Sequence, residues 1–238
     1  MQADLIPNLT GNYRFRAAEN RPFSSGVVTD DGFDLAHVTF AQPLPLEQGI
    51  RSAAHYVATA GRPAESIAGF ELRIPKPLAR ADFETFNHRY AGLLRGIGLE
   101  VNGVIPAGRT NVAPTIGHIS EPSVRAFSFA IRSARSKPGF LLSGVPEQVQ
   151  GTAGEMLRNI TAILAARARE VGCSLADATN IQLYGAGALE SSDFEGLESE
   201  FRAAIIHGLT WYPSLPPVQG LQFEIDARSA GSDTFVFV

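Results

Sequence analysis

The chain has one cysteine, Cys173. An intramolecular disulfide is therefore impossible, and a reducing compartment is the expectation. Cys173 sits in a turn after a helix-ending glycine, with no neighbour that would activate a thiol, and reads as a bystander. Basic runs are also missing. Twenty Lys and Arg residues against 24 acids leave a formal net charge of −4, whereas a nucleic-acid groove needs a concentrated positive stripe. No nucleic-acid partner is expected. No run approaches the roughly 18 consecutive apolar residues of a membrane span. The N-terminal "MQADLIPNLTGNYRF" lacks the basic start and apolar core of a signal peptide, which makes the cytoplasm the expected location. The five histidines (37, 55, 88, 118 and 207) show no metal-ligand spacing, so no metal site is expected. Neither a GxSxG elbow nor a P-loop is present.

What is present is an internal repeat. Helical periodicity marks four segments. In 46–61, Leu46, Ile50, Ala53, Ala54 and Val57 share a face, and Gly61 suits the C-terminal end. In 81–98, Phe83, Phe86, Tyr90, Leu93 and Leu94 form a stripe, with Asp82 placed as an N-cap. In 152–172 the stripe is Met156, Ile160, Ile163, Leu164, Ala168 and Val171. In 192–208 it is Phe194, Leu197, Phe201, Ala204 and Ile205. Strand-like runs at 66–74 and 177–185 separate the helices of each pair. Phe83 and Phe194, Gly61 and Gly172, Leu72 and Leu183, and Tyr90 and Phe201 all stand 111 residues apart. One offset spanning a helix, a loop, a strand and a second helix indicates a tandem duplication.

Further strands are expected at 22–42 (two, around the Asp30-Asp31-Gly32 turn), 123–133, 138–147 and 221–229. The polar, turn-prone 134–139 joins the halves, giving units at 1–134 and 135–238. The closing "TFVFV" reads as an extra strand that needs a partner, since a bare edge invites aggregation.

The order and spacing of several motifs resemble the Rid (YjgF-like) family over nearly the whole chain, twice. The first unit carries "RPFSSGVV" (21–28), "ADFETFNHRY" (81–90) and "PAGRTNV" (106–112). The second carries "FLLSG" (140–144), "SDFEGLESEF" (192–201) and "LQFEIDA" (221–227). The chorismatases, longer than this chain, resemble a fused pair of such units. The resemblance implies an α+β fold, each unit a mixed β-sheet with two helices packed on one face. It also implies trimeric assembly, here a homotrimer imitating six units, because such units cover their sheets against neighbours. Ligand clefts lie between units. The implied chemistry is cofactor-free hydrolysis of an enamine, imine or related C–N bond on a small carboxylate-bearing metabolite.

Arg109 matches the family arginine that grips the substrate carboxylate, a task suited to a planar, permanently charged guanidinium. Without the resemblance it is an arginine in a loop, where a surface ion pair is worth little. Phe23 stands where a ligand-facing tyrosine is common and lacks its hydroxyl, for which Ser24 or Ser25 offers a substitute. Asn87 either lines the cleft or faces solvent. Asn111 is placed to offer its amide to a ligand. Glu224 and Asp226 keep the family's acids on one face of the closing strand. Aligned with 223–229, the segment 127–133 has Ser128 and Ala130 at those positions, and neither carries a proton as a carboxylate does. Conversely, Leu209 replaces the arginine in the second unit. One unit thus has the arginine and the other the acids, which leaves a composite site as one option and Glu121 as a substitute acid as another, although Glu121 reads first as a turn residue. Trp211 and Tyr212 either line a cleft in the second unit or, the favoured reading, pack at a unit interface. Loss of the paired acid keeps a non-catalytic ligand-binding or chaperone-like role open, and a chorismatase-like hydrolase is a further alternative.

Overall fold

The structure is a computed structural model that describes residues 5–19 and 22–237. Residues 1–4 of the N-terminal stretch, Arg21 of the first motif and Val238 of the closing run lie outside it. In chain order, β1 (Ile6–Asn8), β2 (Tyr13–Ala17) and β3 (Ser24–Thr29) come first. β4 (Phe33–Pro45), α1 (Leu46–Thr59), β5 (Ile67–Arg73), α2 (Arg80–Gly96), β6 (Gly108–Pro114) and β7 (Ser123–Arg132) follow. The second half holds β8 (Phe140–Pro146), α3 (Ala153–Glu170), β9 (Asn180–Gly185), α4 (Glu195–Phe201), β10 (Thr210–Tyr212), β11 (Ser214–Leu215), β12 (Phe223–Ser229) and β13 (Ser232–Val236).

The fold is α+β with two mixed sheets. One runs β11-β6-β5-β7-β4-β13 and the other β1-β2-β3-β8-β12-β9-β10. The order β4-β7-β5-β6 in the first matches β8-β12-β9-β10 in the second, with the last pair parallel in both. The two halves exchange strands. β1–β3 extend the sheet of the second half, while β11 and β13 extend that of the first. The turn at Asp30–Gly32 therefore does not close a hairpin. It carries the chain from one sheet to the other, since β3 pairs with β2 and β8 and β4 with β7 and β13. The closing run pairs parallel with β4. Its partner is a strand of the other half, a nonlocal pairing that no local pattern encodes.

Each helix pair covers the outer face of one sheet. Leu46, Ile50, Ala53 and Val57 of α1 and Phe83, Phe86, Tyr90 and Leu94 of α2 are buried in one core with Phe70, Leu72 and Phe127. Met156, Ile160, Leu164 and Ala168 of α3 join Leu197 and Phe201 in a second core. The inner faces meet through a smaller cluster, Tyr13, Phe15, Val27, Leu35, Ala68 and Ala130. The result is four layers, helix–sheet–sheet–helix. The sheets cover one another within a single chain, so sheet coverage does not itself require a neighbouring chain.

Three expectations need correction. Asp82 is not the N-cap: α2 begins at Arg80 with Ala79 as the cap, and Asp82 lies in the first turn, where its charge suits the helix dipole. The second helix of the second half is interrupted. α4 ends at Phe201 because Arg202 takes φ 45°, and 3-10 turns flank it at Ser191–Phe194 and Arg202–His207. Finally, Arg109 is on strand β6 and not in a loop. Its Gly and Pro neighbours look like loop residues, yet parallel pairing with β5 sets Arg109 opposite Phe70. Among the described residues no helix is long and apolar enough to cross a membrane.

Candidate active site

Register defines which residues of the two halves correspond. Gln182, the repeat partner of Glu71, faces Thr210, as Glu71 faces Thr110. One residue earlier, Leu209 corresponds to Arg109. The closing strands align differently from the sequence reading. Glu71 faces Ala126, whereas Gln182 faces Asp226. Likewise Arg73 faces Ser123 and its repeat partner Tyr184 faces Glu224. The counterparts of Glu224 and Asp226 are thus Ser123 and Ala126 instead of Ser128 and Ala130. The Arg-Ser ends of both segments misled the alignment, because β7 is longer and carries bulges. The first half still has no carboxylate on this strand.

The arginine and one of the acids meet across the halves. Arg109, Asn111, Glu224, Gly144, Glu147 and Phe83 are among the residues lining one cleft of about 430 Å³. β6 contributes Arg109 and Asn111, and β12 contributes Glu224. Facing sheets bring these two strands together.

Arg109 is held by an aromatic cage. Its guanidinium lies 4.9 Å from the Phe23 ring, 5.1 Å from Tyr90 and 5.5 Å from Phe83. Such contacts contribute roughly 0.5–2 kcal/mol each. Nη1 donates to Asn87 Oδ1 at 2.8 Å, and the backbone N–H donates to Ser143 Oγ at 3.0 Å. Phe83 and Tyr90 are exposed by helical periodicity as core residues, but nothing in that pattern marks them as the walls of a cage. Asn87 therefore faces Arg109 and lines the mouth next to it.

Glu224 is buried, and its Oε2 has no hydrogen-bond partner among the described residues. Burial, with the neighbouring Asp226, pushes its carboxyl up to about 8; Arg109, the Asn111 backbone N–H and Arg167 act in the opposite direction. A carboxyl of this kind is protonated at neutral pH and ready to donate. Gly144 makes room for it, because a Cβ there would fall on Glu224 Oε1. Arg167 Nη1 donates to the Ser143 carbonyl at 2.9 Å and so ties α3 to this stretch of β8. Asn111 is also buried, and neither Oδ1 nor Nδ2 has a partner among the described residues. Unsatisfied buried polar groups cost about 1–3 kcal/mol each, and where they line a cleft a polar ligand can satisfy them.

Other expected site residues lie elsewhere. Asp226 is behind the cleft, between the sheets, where Thr110 Oγ1 donates to it at 2.5 Å and Tyr184 OH at 3.1 Å. Burial and the nearby Glu71 raise its carboxyl to about 7. It stands two positions after Glu224 on the same strand face, but Thr110 of β6 and Tyr184 of β9 cover it. The Ser24 hydroxyl donates to the Gly26 carbonyl, and Ser25 Oγ to the Arg16 carbonyl, so neither replaces a tyrosine hydroxyl at the cleft. Glu121 is an exposed bend residue that shares a surface depression with Arg51 and Arg89, away from Arg109. Trp211 Nε1 donates to the Gly185 carbonyl at 2.9 Å, and Tyr212 stacks on Tyr184 at 5.4 Å. Glu147 was not anticipated. Its carboxylate accepts from the Gln222 and Phe223 backbone N–H groups and fixes the start of β12.

The profile of a family described as 2-aminomuconate deaminase CnbZ matches residues 5–234. The chain belongs to that family. It is 31% identical over 250 residues to 2-amino-5-chloromuconate deaminase of Comamonas testosteroni, covering 97% of this chain and 98% of that one. The protein is an enzyme of deaminase type. Among solved structures, a chorismatase is similar with TM-score 0.43 and 14% identity, covering 90% of this chain and 78% of that one. A cyanuric acid hydrolase from A. caulinodans is similar with TM-score 0.40 and 10% identity, covering 84% and 68%.

Proposed function

We propose that the enzyme hydrolyses the C–N bond of a 2-amino unsaturated acid of the aminomuconate type, releasing ammonia and a 2-keto acid. Arg109 pairs with the carboxylate next to the reacting carbon. Glu224, protonated at rest, donates its proton to the enamine carbon, and the nitrogen becomes an iminium. The resulting carboxylate takes a proton from a water molecule as it adds to the iminium carbon. Collapse of the carbinolamine expels ammonia. One water is consumed, and no cofactor enters this scheme. Asn111 offers a donor and an acceptor to the water or the amino group.

The observation that carries this reading is the meeting of three groups in one cleft: Arg109, the unpartnered Asn111 amide and the unpartnered Glu224 carboxyl oxygen. The 2-amino-5-chloromuconate deaminase relative supports the substrate class. A relation of each half to the Rid family is part of the same proposal, supported by the repeated strand order. So is the homotrimer, for which the exposed Phe235 and Phe237 offer apolar surface to cover; a monomer by light scattering would contradict it. For the reaction, ammonia release is followed from 2-aminomuconate and from 2-aminoacrylate generated in situ. The wild type is expected to exceed background on 2-aminomuconate and Arg109→Ala to lose most of that rate at low substrate concentration. Background rates for both proteins would overturn the reading.

A further inference from the structure

A second arginine lines the cleft. Arg80, the first residue of α2, borders both the Arg109 cleft and an adjoining one of about 290 Å³ at its mouth; Phe83 and Val218 are shared with it. We propose that Arg80 binds the far carboxylate of a linear dicarboxylate whose near carboxylate is on Arg109. This rests on the aminomuconate reading above and adds the residue that separates diacids from monoacids.

Position is the first argument. Residues 80, 83, 84 and 87 follow helical spacing and line the mouth together. Arg109 rests against the same face at Phe83, Asn87 and Tyr90. Seven residues separate Arg80 from Asn87, roughly 10 Å along a helix at 1.5 Å per residue. The caged Arg109 guanidinium and a flexible one so spaced can bracket a six-carbon chain, with Phe83 between them.

Availability is the second. Arg95 also borders the mouth, but Glu100 holds it at 2.5 Å. His88 is turned to the Glu84 carbonyl at 2.9 Å. Arg80 makes no hydrogen bond or ion pair among the described residues and is exposed. A cation in the first turn also opposes the helix dipole, a cost of a few tenths of a kcal/mol to about 1 kcal/mol. An anionic ligand reverses that cost.

The backbone at this point is fixed, which is the third argument. Leu78 N–H donates to the Pro217 carbonyl at 2.8 Å, and Gln219 N–H donates to the Leu78 carbonyl at 3.0 Å. Pro217 and Val218, from the second half, also line the cleft. The start of α2 is therefore pinned to the half that supplies Glu224, and only the Arg80 side chain needs to move.

Calorimetry with two unreactive probes tests this: muconate, a hexadienedioate, and sorbate, the hexadienoate with one carboxylate. The wild type should bind muconate at least tenfold more tightly than sorbate. Arg80→Ala should erase that preference by weakening muconate alone, with an unchanged circular dichroism spectrum. Arg109→Ala should weaken both. A preference that survives in Arg80→Ala, or equal binding of both acids by the wild type, overturns the proposal. Absence of binding by either acid overturns it together with the aminomuconate reading. The expected binding pattern without ammonia release would instead overturn the reaction and leave the grip standing.

Discussion

Glu71 Oε1 accepts a 2.8 Å hydrogen bond from Nε2 of Gln182, the residue 111 positions later. The two are equivalents in the repeat, so the pseudo-symmetry axis of the molecule passes between them. Arg73 and Tyr184, another equivalent pair, also meet, with the guanidinium 5.6 Å from the ring. Where two copies of a buried side chain face each other, two carboxylates would repel. Carboxylate in one half and amide in the other avoids that. Burial would raise the Glu71 carboxyl, but Arg125, His37, Arg228 and Arg73 hold it well below the ordinary range. Arg125 approaches it at 2.6 Å and Arg228 at 3.1 Å.

Glu71→Gln is expected to destabilise the fold by about 3–5 kcal/mol, because it leaves buried arginines without a counter-charge. Gln182→Glu should also destabilise, by adding a like charge. The double exchange should recover part of the loss, since one carboxylate remains among the same arginines. Denaturant midpoints of the four proteins measure this. Additive losses in the double variant would contradict the pairing.

The contribution of Arg109 should show mainly in substrate binding. Charge-assisted hydrogen bonds are worth about 1.5–3 kcal/mol, so Arg109→Ala should lower kcat/KM roughly 10- to 100-fold, largely through KM. Arg109→Lys should recover little, because an ammonium lacks the planar fork that stacks in the cage. Full activity of the lysine variant would contradict the role given to the cage.

The Glu224 carboxyl should set the alkaline limit of activity. As a donor protonated at rest, it predicts a kcat/KM that declines above about pH 8. Glu224→Gln should lower kcat by about 10²–10⁴. Stability follows the same titration. The folded value lies above the ordinary 4.5, so its stabilising effect is full below that pH and is lost as pH rises through about 8. Glu224→Gln should therefore flatten the fall in Tm between about pH 5 and 8. Asp226, Arg109 and Arg167 face the carboxyl and shape the curve. Parallel curves for wild type and variant would contradict the assignment.

Gly144→Ala tests the fit of the carboxyl directly. The added methyl falls on Glu224 Oε1, beside the stretch of β8 that Arg167 ties to α3. A loss of about 1–3 kcal/mol is expected from overpacking, with kcat reduced at temperatures where the variant is folded. Unchanged kinetics would show that Glu224 need not hold its position.

Much of this was legible in the sequence, for identifiable reasons. Phe83, Phe86 and Tyr90 repeat at helical spacing, and burial of an apolar face is what that spacing encodes. The 111-residue offset exposed the duplication because the stretch from the helix-ending Gly61 or Gly172 through a 3-10 turn to the next strand kept its spacing in both halves. Arg109 and Glu224 emerged only from the resemblance, as an arginine and an acid in different halves. Their common cleft depends on sheet-against-sheet packing and on strands exchanged between halves, and both are pairings distant in sequence. The cage was hidden because Phe83 and Tyr90 belong to the core stripe as well. Glu121 has the chemistry of an acid but reads first as a turn residue, and it is found as an exposed bend residue, its location set by the path of the chain.

The central claim is that one cleft, assembled from both halves, joins Arg109 to Glu224. A crystal structure with muconate bound tests it most directly. The account predicts one carboxylate on the Arg109 guanidinium and the adjacent carbon within reach of Glu224 and Asn111. A ligand bound away from Arg109, or one whose diene faces away from Glu224, would contradict it.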